Sequence, residues 1–191
     1  MLVYKAQLLS FIEYRTAAIY HACDSSLETL DRVQDKLLEA AGMSAVDALN
    51  ACKLAPLSAR RDMALLGLIH RTVLGRGPQQ FRNFFQRQPQ GGASQGPRHR
   101  LQLVEFSGGH WSDFVFPSSR PADYISYSML GLVSVYNRLP ARIVESASSV
   151  PTFQAMLQEL LTFNANTGVD NWVRTFSPRI PWHRHPLSYI A

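Results

Sequence analysis

Apolar residues recur along the first half of the chain at the three-to-four-residue spacing of helices. Leu8, Leu9, Ile12 and Ile19 set that period within residues 2–22, where neither proline nor glycine interrupts it. Ser25 followed by Glu28 has the form of a capping box, each side chain satisfying a free main-chain donor at a helix start. The helix it opens is expected to bury Leu27, Leu30, Val33, Leu37 and Leu38 on one face, with Asp31, Asp35 and Glu39 pointing elsewhere. Gly42 is placed to end that helix, and a short one is expected from Ser44 to Cys52. After Pro56, Ser58 is expected to cap a helix running to Leu74, with Met63, Leu66, Ile69 and Val73 as its core stripe and Gly75 and Gly77-Pro78 closing it. A short helix over 79–85 would turn Phe81, Phe84 and Phe85 inward.

The pattern then loosens. Residues 86–99 are polar and rich in proline and glycine, and read as a flexible loop. Leu101 and Leu103 alternate with polar residues, as Phe114 and Phe116 alternate around Val115, which suggests two short strands joined through Gly108-Gly109. A helical or extended segment covers Tyr124 to Tyr136, and Pro140 interrupts it. Pro151, a good first-turn residue, starts the last clear helix, with Phe153, Met156, Leu157, Leu160 and Leu161 on one side. The tail from Ser177 carries three prolines and reads as irregular. The expected fold is mainly α. It comprises a helical bundle over 1–85, a flexible polar loop over 86–99, a looser helical and irregular region with short strands over 100–165, and an irregular tail over 166–191.

No apolar run reaches the roughly 18 residues of a membrane span. The N-terminus lacks a basic region followed by an apolar stretch, so no signal peptide is read; no membrane partner is expected, and the sequence does not choose between nucleus and cytoplasm. Two cysteines, Cys23 and Cys52, are too few for a disulfide framework or a zinc knuckle.

Charge changes the picture more. Residues 1–52 carry four basic and seven acidic residues, residues 53–100 carry nine basic residues against the single acid Asp62, and the remainder is balanced. Sixteen of the nineteen basic residues are arginine, whose planar fork suits phosphates. A basic middle of this kind fits either a nucleic-acid footprint or a merely solvated face. Arg60, Arg61, Arg71, Arg98 and Arg100 outnumber their local acids and are the candidate phosphate contacts. The competing reading for Arg60, Arg61 and Arg71 is intrahelical pairing with Asp62 and ordinary solvation or, for Arg61, pairing with an acid of the first two helices.

Catalytic chemistry is hard to find. Two-metal phosphoryl transfer needs paired carboxylates, and the chain has no Asp-Asp pair. Walker, Rossmann, Gly-x-Ser-x-Gly and His-Glu-x-x-His patterns are also missing. His183-x-His185 reads as a surface tail rather than a zinc site, because no cysteine or carboxylate lies near it in sequence. His110-Trp111-Ser112-Asp113 has the residue types of a triad, but sequence neighbours seldom face one another as a triad requires. Neither a metal nor another cofactor is expected.

Several short motifs share one resemblance. Tyr4-Lys5-Ala6-Gln7-Leu8-Leu9-Ser10-Phe11-Ile12-Glu13-Tyr14 resembles the segment after the palm in non-LTR retrotransposon reverse transcriptases, where a Tyr and a Glu-Tyr pair bracket an apolar helix. Leu30-Asp31-Arg32-Val33-Gln34 is similar to their Leu-Glu-Arg-Val-Gln, and Leu54-Ala55-Pro56-Leu57-Ser58-Ala59-Arg60-Arg61-Asp62 to their Leu-Pro-Leu…Arg-Arg-Asp. Leu66, His70-Arg71 and Gly75 continue that motif. Tyr136-Asn137-Arg138-Leu139-Pro140 resembles Trp-Asn-Ser-Leu-Pro, with Phe153 and Leu157 on the helix that follows. The order and spacing of these motifs, from residue 4 to about 161, are the signal. The chain departs from the pattern at Ser10, where proline is frequent, at Tyr136, where tryptophan is usual, and at Ser128-Met129-Leu130-Gly131, where an arginine is often found.

The resemblance implies a thumb-like helical bundle that holds a template–primer duplex by its backbone, within a parent RNA-directed DNA polymerase. Finger and palm motifs are not in this sequence, so a non-catalytic fragment or remnant is expected. An apolar face left by the palm would then bind that missing domain or a second copy. The alternatives are a stand-alone helical interaction module and, less favoured, a small hydrolase around His110 or His183.

Overall fold

A computed structural model of the chain describes residues 3–14, 16–87, 99–105 and 125–189. The described residues are mainly helical and contain no strand, as the mainly α expectation requires. A π-helical turn over Tyr4–Leu9 runs into α1 (Ser10–Tyr14), and α2 spans Thr16–Ile19. There follow α3 (Asp24–Ala40), α4 (Ala45–Cys52), α5 (Leu57–Val73), a 3-10 turn over Gln79–Asn83, α6 (Leu132–Asn137), α7 (Ala141–Ser146) and α8 (Val150–Asn166). Three further 3-10 turns carry the tail, at Trp172–Arg174, Trp182–Arg184 and Pro186–Tyr189.

The centre of the molecule is α5. Twelve of its seventeen residues are buried, because α8, α6, α2 and α3 all pack on it. A helix enclosed on most sides has no solvent face to give it a clean stripe. Leu66, Ile69, Tyr136, Phe153, Leu157 and Leu161 meet in the main core, where all are at most 0% exposed. That core also takes Phe176 and Leu187 from the tail, so residues before 86 and after 100 share one interior. A smaller cluster gathers Tyr4, Leu9, Leu38, Leu54 and Leu57.

Local chemistry explains where the elements start and stop, with several corrections. Gly42 ends α3 at φ +62°, and the Gly42 and Met43 amides close a Schellman motif onto Glu39 and Leu38. Gly75 does the same for α5 at φ +77°. The expected Ser25–Glu28 box does not form: α3 begins at Asp24, after Cys23, whose sulfur lies 3.2 Å from the hydroxyls of both Ser25 and Ser26. The capping box is at Ser44 and Asp47 instead, opening α4. Pro56, not Ser58, precedes α5; its fixed φ suits the entry to a helix.

The buried stripe of α3 is also rotated from expectation. It consists of Leu27, Gln34 and Leu38, while Val33 is 43% exposed and Leu37 only half-buried. Gln34 qualifies for the interior because it is fully used: it accepts from the Tyr4 hydroxyl at 3.2 Å and donates to the Ala55 carbonyl at 3.1 Å. Phe85 is buried and Phe81 half-buried, but Phe84 faces solvent. Leu103 makes a single antiparallel bridge to Arg87 rather than a strand. The other proposed strand, with Phe114 and Phe116, lies outside the described residues, as does most of the 86–99 loop. The tail packs through Phe176, His185 and Leu187 rather than lying loose on the surface.

Candidate nucleic-acid interface

The chain has no acidic residue between Asp62 and Glu105, so arginines in that stretch must find other partners. Four of them gather where α5 ends. Arg71 Nε donates to the Arg76 carbonyl at 3.0 Å, Arg76 to the Ser148 carbonyl at 3.2 Å, Arg82 to the Gly75 carbonyl at 3.1 Å and Arg87 to the Val73 carbonyl at 2.9 Å. Two of these acceptors, the Val73 and Gly75 carbonyls, stand at the α5 C-terminus, where carbonyls lack intrahelical donors and the negative end of the dipole favours cations. All four residues are exposed, and among the described residues none of the four makes an ion pair. A guanidinium has five N–H groups, so each fork keeps donors for an external anion.

The candidate arginines divide between this cluster and the interior. Arg71 belongs to the cluster. Arg60 pairs with Glu13 of α1 through Nε. Arg61 is buried and grips Asp31 of α3 with both forks, at 2.6 and 2.9 Å. Arg100 is exposed, its own main-chain N–H donating to the Glu145 carboxylate at 2.6 Å. Arg98 lies outside the described residues. His70, next to Arg71 in sequence, adds no charge to the surface. It is fully buried, stacked on Phe153 at 4.1 Å, and burial holds its pKa below the usual 6.5. The cluster members missed by sequence reasoning are Arg76, Arg82 and Arg87; the acid-free stretch from 63 to 104 was the signal that could have found them.

The arginines on the other side of α5 are structural. Arg179 of the tail donates to the Asp24 carboxylate and the Tyr20 carbonyl, both at 2.5 Å, and stacks over Tyr127 at 4.5 Å. Arg174 lies 3.9 Å from Glu28. Beneath them the Tyr20 hydroxyl donates to Asp62 at 2.7 Å. Burial pushes the Asp62 carboxyl up to about 7, against the Tyr20 hydrogen bond and the neighbouring Arg61, Arg179 and Arg174, which favour its charge. This network ties α2 and α3 to α5 and to the tail.

His185 is buried and neutral, with its pKa lowered to about 4 by desolvation, so the His183-x-His185 pair is not a surface feature as a whole. His110-Trp111-Ser112-Asp113 lies outside the described residues. Among the described residues no three His, Cys, Asp or Glu side chains converge as a metal site. Cys23 and Cys52 are free thiols. No helix of the described residues is long and apolar enough to cross a membrane. No protein family, no curated protein and no solved structure matches this chain.

Proposed function

We propose that the chain is a thumb-like region of a retrotransposon reverse transcriptase, acting without catalysis of its own and contacting the backbone of a template–primer duplex. The observation that carries the reading is the acid-free cluster of Arg71, Arg76, Arg82 and Arg87 at the end of α5. Guanidinium groups held by main-chain carbonyls are pre-oriented for phosphate, and phosphate contacts position a duplex without reading its sequence. The motif order of the sequence is what suggests the family, and the cluster is what supports a backbone contact. It moves that contact from the start of α5, where Arg60 and Arg61 are already paired, to its end.

The test is the salt dependence of binding to a short RNA–DNA hybrid, followed by anisotropy. Each neutralised phosphate contributes a slope of about −0.9 in log affinity against log salt. Arg82→Gln with Arg87→Gln should lower the slope by up to ~2 without changing the melting temperature. An unchanged slope in that folded variant removes the cluster from the interface.

A second reading, a stand-alone helical interaction module, is favoured by one observation. Phe11 is 80% and Tyr14 86% exposed, alongside exposed Val3 and Leu8 on the same N-terminal helical segment. Apolar side chains grouped on a surface mark a contact site for a palm-like domain or a second copy. Sedimentation of wild type against Phe11→Ser with Tyr14→Ser tests self-association directly: a concentration-dependent mass lost in the variant supports it.

A further inference from the structure

Gly67 lies where α5 crosses α8, facing side chains of α8. A Cβ at that position would lie 2.7 Å from the Gln154 amide nitrogen and 3.1 Å from Val150 Cγ1. Beside the crossing the two helices leave a solvent-open groove of about 440 Å³. Its walls include Gly67, Leu68, Val150 and Pro151, and Arg71 and Arg76 stand at one end. None of its lining residues is acidic. The volume is in the range of pockets that enclose small groups, roughly 300–1,000 Å³.

The charge at this groove comes from side chains, not from the start of α8. There the Ser149 hydroxyl takes the Thr152 amide, the Ser149 carbonyl takes the Phe153 amide, and Pro151 has no N–H. Arg71 and Arg76 are each fixed by one hydrogen bond, to the Arg76 and Ser148 carbonyls, which leaves the rest of each fork to meet an anion with little loss of freedom. The walls are apolar. A nucleic-acid backbone would use the guanidinium groups and gain nothing from those walls. A lipid tail would use the walls but leave one side in water along an open groove. An acidic side chain next to a leucine-sized one uses both ends and leaves the peptide main chain hydrated.

We propose that the α5–α8 groove docks an acidic segment of a partner protein, with an Asp or Glu carboxylate on Arg71 and Arg76 and a neighbouring aliphatic or aromatic side chain against Leu68, Val150 and Pro151. This goes beyond duplex binding and shares only two arginines with it.

The experiment is selection of a random peptide library displayed on phage against the full chain, with the selected sequence then synthesised and titrated. Peptides carrying Asp or Glu close to Leu, Ile or Phe are expected. Changing that acid to its amide, or Arg71→Gln in the protein, should weaken binding roughly tenfold or more, the loss of one charge-assisted pair. Ala64 lines the groove and is exposed, so Ala64→Trp should fill it and abolish peptide binding while melting and hybrid binding stay as in wild type. Arg82→Gln with Arg87→Gln should weaken the hybrid and spare the peptide, so the two readings fail separately. The proposal is overturned if no peptide is enriched over the Ala64→Trp control, if enriched peptides lack an acid, or if Arg71→Gln leaves their affinity unchanged. It is equally overturned if Ala64→Trp weakens the hybrid while no peptide is selected, which would give the groove to phosphate.

Discussion

Arg61→Ala separates the two roles that an arginine on α5 could have. The side chain is only 6% exposed and its partner Asp31 24%, joined by two short hydrogen bonds. Removing one member of a buried pair costs about 3–5 kcal/mol, mostly the stranded charge left behind. Water reaches part of Asp31, so the cost is expected near the lower end, about 3 kcal/mol. In a chain of this size each kcal/mol moves the melting temperature by about 2–4 °C, giving a fall of ~6–12 °C. The loss also removes a cation that favours the charged form of Asp62, so that carboxyl should titrate still higher. Urea titration of Arg61→Ala, Asp31→Asn and the double variant, with the hybrid salt slope measured on the same samples, is the assay. Because the residues touch, the double variant should cost less than the two singles together, by ~0.5–3 kcal/mol. The reasoning is refuted if Arg61→Ala keeps its urea midpoint while its salt slope drops by about one unit, since that is what a phosphate contact would do.

Leu38→Ala, at a 5% exposed position, should cost ~2–5 kcal/mol in urea, while Val33→Ala at 43% exposure should stay within about 0.5; the reverse order would return the buried face of α3 to its sequence-predicted position. Acid sensitivity should be masked in wild type. Asp62 binds a proton in the folded chain well above its ordinary 3.8, so acidification from about 7 stabilises the fold, whereas buried neutral His70, His99 and His185 destabilise it as pH falls below 6.5. Asp62→Asn removes the first effect, so the variant should lose stability on going from pH about 7 to about 4.5 more steeply than wild type, with roughly 2 kcal/mol from His185 alone. Parallel pH profiles for the two proteins would contradict the assignment. The purified chain should show no primer extension with any divalent cation, and incorporation above a protein-free control would sink the non-catalytic reading.

What could be read from the sequence was periodic. The helix from Pro151 with Phe153, Leu157, Leu160 and Leu161 inward, and the terminations at Gly42 and Gly75, follow from spacing and from the one residue type that accepts positive φ cheaply. The errors of burial have a common cause. Hydrophobicity counts a residue as interior only if it is apolar, and α3 buries Gln34 while exposing Val33. The same bias favoured Arg61 as a surface phosphate contact over the competing pairing with an acid of the first two helices, and it is that pairing the structure shows, with both terminal nitrogens of Arg61 on Asp31. The excess of carboxylates in the first 52 residues was visible, and Glu13, Asp24, Glu28 and Asp31 each pair with an arginine. Which arginine each would take depended on tertiary approach and left no mark in the local pattern.

The least periodic part of the chain is held by neutral imidazoles. His99 Nε2 donates to the Tyr136 carbonyl at 3.0 Å while its Nδ1 accepts the Leu101 amide at 3.2 Å. His185 repeats the arrangement, donating to the Ser177 carbonyl at 3.1 Å and accepting the Leu187 amide at 3.2 Å. Both belong to a His-x-Leu step in which Nδ1 takes the amide two residues on, and both leucines enter or flank the core. A carbonyl only accepts and an amide only donates, so Nε2 must carry the proton and Nδ1 must not, which fixes one tautomer of the neutral ring. His70 uses the same tautomer to join the Ala147 carbonyl, at 2.9 Å, to the Tyr136 hydroxyl, at 3.0 Å. The Leu101 and Leu187 amides and the Ala147 and Ser177 carbonyls, which lie outside helices and strands or at their ends, are satisfied this way, and irregular chain becomes tolerable in the interior. Protonation would place a second N–H where the Leu101 or Leu187 amide already points. Acid therefore breaks each turn at its own pivot, in addition to charging a buried ring, and the segments without secondary structure should be the first to open.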